Sequence, residues 1–101
     1  MSTINVPHEL LEDERLTNYA RMMYIYLLSF ADEELKTSLS MPTLLQVTRM
    51  ADNTARKMLK MLSDTGWVAV NHRFDDLGRP LPNEYVLSPG NPTHPDDKEQ
   101  P

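Results

Sequence analysis

The residues best equipped for chemistry lie in DNTARKMLKMLSD, residues 52–64. Ala55, Met58 or Leu59, and Leu62 recur at helical spacing and define an inward face. That leaves Asn53, Thr54, Arg56, Lys57 and Lys60 on the outer face of the same rod. Such a set is suited to the edges of planar bases: asparagine bonds adenine at two points, arginine does the same with guanine, and threonine meets a thymine methyl. The two lysines add point charges suited to phosphate. On an isolated helix, three cations are most simply a solvated face, so the weight of this reading rests on the elements around them.

Those elements follow a definite order. Thr17 is placed to cap a helix over 17–31, with Leu16 as half of a hydrophobic staple and Ala20, Met23, Tyr24, Leu27 and Leu28 at the i, i+3, i+4, i+7, i+8 positions. Met22, Ile25, Tyr26 and Phe30 widen that stripe, which implies burial on more than one side, at the centre of the domain or against a second copy. Before it, residues 1–16 form a lead-in in which Pro7 is followed by one helical turn that packs Leu10 and Leu11. After it, Asp32-Glu33-Glu34 reads as a solvated connection and Ser38-Leu39-Ser40 as a short extended piece. Pro42 suits the first turn of a short helix carrying Thr43 and Gln46, a break follows near Arg49-Met50-Ala51-Asp52, and Gly66 ends the next helix. From Gly66 onward the period changes to alternation: residues 67–74 form one strand, 75–82 a turn-rich tip, and 83–87 a returning strand. Trp67 and Tyr85 fall in the core at the base of this hairpin, and residues 89–101 form a proline-rich disordered tail.

Helix, short helix, tight turn, longer helix, glycine and β-hairpin is the order of a winged helix-turn-helix. The stretch PTLLQVTRMADNTARKMLKMLSDTGWVAV, with GRPLPNEYVL after it, resembles the winged-helix domains of plasmid and phage replication initiators and small bacterial transcription regulators. The likeness extends over about residues 6–88. It departs at Arg49, where a turn glycine is common, and at Ala51, where a capping serine or threonine is usual, which leaves the cap to Asp52. The resemblance implies an α+β domain over 17–88 with three main helices and a two-stranded wing. It also implies sequence-specific binding of double-stranded DNA, in regulation of transcription or replication in a bacterium, phage or plasmid. The second helix of the pair would enter the major groove, Thr43 and Gln46 would meet the backbone, and Arg73 and Arg79, with His72, would reach the flanking minor groove or its phosphates. A homodimer through residues 17–31 is expected, because one module offers few base contacts.

Composition bounds these expectations. A chain of 101 residues holds one domain, and without cysteine it is held by apolar packing alone. No run is long enough to span a bilayer and no basic leader opens the chain, so a soluble cytoplasmic protein is expected. The net charge of −5 opposes a polyanionic partner, but residues 43–87 hold six basic and five acidic side chains, whereas residues 1–42 hold three and seven. This acidity favours an alternative, a winged helix that binds a host polymerase or replication protein. No phosphate loop, nucleophile elbow or paired-histidine motif is present, and His8, His72 and His94 lie far apart, so no enzyme, cofactor or metal is expected. The acidic groups Glu12-Asp13-Glu14, Asp32-Glu33-Glu34 and Asp75-Asp76 are expected to be solvated, with ordinary pKa values.

Overall fold

The computed structural model describes residues 3–90. The elements run α1 (His8–Glu12), α2 (Asn18–Phe30), β1 (Lys36–Ser38), α3 (Met41–Thr48), α4 (Asp52–Asp64), β2 (Val68–Phe74) and β3 (Pro80–Leu87). Residues 91–101 of the expected tail lie outside the described residues, as does His94.

Helix α2 forms where its pattern places it. The Thr17 hydroxyl accepts the Ala20 N–H at 3.1 Å, satisfying an otherwise orphaned donor. Ala20, Met23, Tyr24, Leu27 and Leu28 are all buried. The wider stripe is not closed over within one chain: Met22 and Phe30 are exposed, and Ile25 and Tyr26 are half-buried. Helix α3 is capped by Ser40, whose hydroxyl accepts from the Thr43 N–H, and Pro42 sits in the first turn where its missing donor costs nothing.

Two expectations about architecture need correction. The extended piece comes at Lys36–Ser38, ahead of Ser38–Ser40, and it is a full member of the sheet. The strand order is β1-β3-β2, all antiparallel, so the sheet has three strands and not the two of an isolated hairpin. A three-residue strand carries too little alternation to be read from sequence. What positions it is the preceding turn, in which Asp32 Oδ1 accepts the N–H groups of Glu34 and Lys36 at 2.8 and 3.0 Å, and Leu35 adopts φ 63°. Beside the three longer helices stands the five-residue α1. Its Leu10 is fully buried, but Leu11, expected to pack, is 53% exposed.

The returning strand starts at Pro80, three residues before Asn83. Its prolines are tolerated because β1 pairs only with residues 84–86, so the outer part of β3 has only β2 beside it. There the register slips between Asn71 and Arg73, which inserts an extra β3 residue near Pro82 and bends the hairpin.

Trp67 joins these parts. It is fully buried, and its ring meets that of Tyr24 edge-on at 5.7 Å and 81°. Its backbone N–H donates to Leu62 O and its carbonyl accepts from Ser88 N, each at 2.9 Å. The Tyr24 hydroxyl donates to Ser88 O, and burial pushes its pKa up to about 12. The indole Nε1 donates to Asp13 Oδ2 at 2.8 Å. Asp13 is therefore no solvated acid. Its side chain is 8% exposed, and the hydrogen bonds from Arg15, with that from Trp67, outweigh desolvation and hold the carboxyl well below the usual carboxylate range. Arg21 ties the same lead-in to α2, donating to Leu10 O at 3.1 Å and Asp13 O at 2.8 Å.

A depressed folded-state pKa contributes stability that is present above the unfolded value of about 3.9 and lost as pH falls below it. Urea unfolding between pH 7 and pH 2 should therefore show an acid limb that flattens in Asp13→Asn, which keeps an acceptor for the indole but cannot titrate. Asp13→Ala, which leaves the indole N–H unsatisfied, should cost about 1–3 kcal/mol at neutral pH.

Candidate nucleic-acid interface

The α3–α4 turn sets the direction of α4. Arg49 ends α3 at φ 59°, ψ 25°, with its N–H donating to Leu45 O at 2.9 Å. The position thus needs the left-handed conformation that glycine adopts most cheaply, and an arginine occupies it at a cost. Ala51 is the N-cap of α4 and makes no side-chain capping bond. The expectation that Asp52 takes over the cap is not met, because its carboxylate turns forward to pair with Arg56, four residues on. At the other end Gly66, at φ 86°, releases the chain into the sheet.

Ala55, Met58, Leu59 and Leu62 are buried, with both Met58 and Leu59 inside. Of the expected outer set, Asn53, Arg56, Lys57 and Lys60 are exposed, whereas Thr54 is half-buried. It lines a small hollow of about 230 Å³ with Tyr19, Met22 and Arg49. The cations are not equivalent. Arg56 is paired with Asp52 through Nε, and Lys60 with Asp64 at 3.0 Å, both as exposed i, i+4 pairs. Among the described residues, the side chains of Lys57 and Asn53 have no hydrogen-bonded or ion-paired partner. Sequence reasoning misses the two acidic partners, although the spacing of opposite charges four apart is itself the signal. It also leaves Tyr19 and Arg49 out of the expected set, yet the fold brings both beside the start of α4.

The hairpin approaches α4 from one side. A groove of about 410 Å³ runs between them, with Arg56 and Lys60 on the helix wall and His72 and Asn83 on the sheet wall. His72 Nδ1 lies 3.1 Å from Asn83 Oδ1, within hydrogen-bonding distance. Arg73 is exposed, and its Nε donates to Pro82 O at 3.2 Å, bracing the bulge. Arg79 stands at the tip, its Nε on Asp75 Oδ2 at 2.7 Å and its N–H on Oδ1 at 2.8 Å. Asp75, expected to be ordinary, is not. Backbone hydrogen bonding from Arg79 leads the effects that lower its pKa, so it serves as the clasp of the turn, with Gly78 at φ 80° completing it. Thr43 lies at the start of α3 with its hydroxyl accepting from Ser40 Oγ at 2.9 Å, and Gln46 is exposed on the same helix. The fold therefore brings Arg56 and Lys60 of the α4 set together with His72 across one groove, and Asn53, Lys57, Arg73 and Arg79 do not line it.

No family model matches the sequence, and no curated protein matches it. Solved structures do share its fold. A chain of a Rep–DNA complex aligns with a TM-score of 0.62 at 18% identity, covering 99% of this chain and 91% of that one. The N-terminal domain of a DNA-binding protein aligns with a TM-score of 0.62 at 20% identity, covering 94% and 80%. A possible transcriptional regulator from Methanosarcina mazei aligns with a TM-score of 0.60 at 14% identity, covering 79% of this chain, which spans 63% of that protein's length. At these identities the matches are a likeness of fold, shared with proteins described as a transcriptional regulator and as DNA-binding.

Because Arg49 holds a left-handed conformation, Arg49→Gly should leave stability unchanged or raise it by up to about 1 kcal/mol, where most surface arginine to glycine changes would be unfavourable. Thermal melts of the two proteins decide the point, and a clear drop in melting temperature would show that the arginine side chain itself holds the turn.

Proposed function

We propose that this chain is a winged helix-turn-helix domain that binds double-stranded DNA, with α4 as the helix that enters the major groove and the β2–β3 hairpin as the wing. The observation that carries the reading is the split of α4: four apolar residues fasten one face to the body, while Asn53, Arg56, Lys57 and Lys60 face solvent on the other. A protruding helix of this kind fits the width of the major groove and brings amide and guanidinium groups to base edges. The DNA-related descriptions of the structures that share its fold support the same reading. Regulation of transcription or replication, by binding and without catalysis, is the role this reading favours, in a bacterial, phage or plasmid setting.

A single domain of this size reads few base pairs, so two copies on paired half-sites are part of the proposal. The exposed Tyr19, Met22 and Phe30 of α2, with half-buried Ile25 and Tyr26 beside them, offer the apolar surface for that contact. The same surface, with the net charge of −5, favours the second reading, in which this face receives a different protein.

Binding to random-sequence duplex DNA, titrated at low and moderate salt, tests the first reading. Wild type should bind, more weakly as salt rises. Lys57→Ala and Lys60→Ala should weaken binding to every sequence and flatten the salt slope by about 0.9 for each phosphate no longer neutralised. A protein that retains no duplex at either salt concentration belongs to the second reading. For the dimer, sedimentation should give two copies for wild type and one for Met22→Glu, with the helical content of both unchanged.

A further inference from the structure

The two ion pairs on the outer face of α4 pull in opposite directions. Arg56 is bound by Asp52, one turn toward the start of the helix, and Lys60 by Asp64, one turn toward its end. In a helix-turn-helix the start of the second helix leads into the groove, so Arg56, which lines the hairpin groove together with Lys60, is tied toward the leading end of α4 and Lys60 toward its far end. Stability does not explain the forward pair, since the two side chains are 60% and 51% exposed and such pairs contribute little to folding. Its effect is on direction. Asp52 takes the guanidinium through Nε, which leaves both terminal nitrogens without a hydrogen-bond partner among the described residues and facing the same way as a planar fork. Asp52 Oδ2 likewise accepts no hydrogen bond there.

Building on the DNA-binding reading above, we propose that Asp52 is a positioning residue that aims Arg56 at one guanine, so that the pair reads a G·C base pair at a fixed place in the target. The terminal nitrogens of Arg56 donate to guanine O6 and N7 while its Nε stays on Asp52, so the carboxylate acts on the base only through the guanidinium it holds. Asp52 also carries a negative charge into a field of phosphates, so its effect on affinity and its effect on selectivity have opposite signs. A residue that only masked charge would change the first and not the second.

The test uses duplexes selected by the wild-type protein from a random-sequence pool, together with variants of the best duplex in which each base pair is replaced in turn. Wild type, Asp52→Asn, Arg56→Ala and the double variant are titrated against all of them at one salt concentration, with circular dichroism to establish equal folding. Wild type should prefer G·C at one position. Asp52→Asn should lose roughly tenfold of that discrimination while binding random duplex as tightly as wild type or more so. In the Arg56→Ala background, Asp52→Asn should change nothing at that position. Uniformly tighter binding by Asp52→Asn with the base preference intact would overturn the proposal, as would an Asp52 effect that persists without Arg56. If wild type selects no duplex at all, the DNA-binding reading itself has failed, and that result precedes any comparison of variants.

Discussion

The fold turns on the surroundings of one side chain. Trp67 contacts four parts of the chain at once: its ring abuts Tyr24 of α2, its N–H closes the end of α4, its carbonyl holds Ser88 after β3, and its indole nitrogen reaches Asp13 in the lead-in. Burying a large aromatic ring supplies several kcal/mol of apolar stabilisation, but only if the indole donor finds a partner. Asp13 meets that need and is in turn neutralised by Arg15. Because Trp67 directly follows Gly66, fixing it also fixes where α4 ends and which way its outer face turns. The polar lead-in, which looks dispensable by composition, is therefore part of what orients the candidate interface.

A second tie acts at the other side of α4. The Thr17 hydroxyl, already the cap of α2, donates to Met58 Sδ at 3.2 Å. One small residue thus starts one helix and touches the inward face of another, which couples the helix bearing the open apolar surface to the helix bearing the cations.

Much of this is legible in the sequence because the long elements carry strong periodicity. The five buried positions of α2, the inward face of α4, the glycine at its end and the alternation through Val68 and Val70 all follow from patterns many residues long. Where the signal is short, it fails. Strand β1 has three residues and is created by a turn at Asp32 and Leu35, so nothing in its own composition marks it. Leu11 is as apolar as Leu10, but a five-residue helix buries one side only. Asp13 and Asp75 read as solvated acid because local sequence cannot say that a tryptophan 54 residues away, or a closed hairpin turn, will bring donors to a carboxylate. The cations of α4 are legible as a set, and their division into paired and unpaired members is legible too, once Asp52 and Asp64 are read at four-residue spacing from Arg56 and Lys60 and not only as helix ends.

That division bears on how a chain with net charge −5 could favour a polyanion. The acid is not spread evenly: the run Asp32-Glu33-Glu34 lies in an exposed turn beyond α2, while Arg49, Arg56, Lys57, Lys60, Arg73 and Arg79 all belong to the helix pair and the hairpin. Within that half, Asp52, Asp64 and Asp75 each hold one cation. A face so compensated releases few counterions, and non-specific affinity for DNA falls with each phosphate it leaves unneutralised. What survives compensation is direction, because a guanidinium held by a carboxylate keeps its remaining donors aligned while its long-range charge is muted. A surface built this way would discriminate by geometry more than it attracts by charge, which reconciles its weak overall basicity with the proposed duplex recognition.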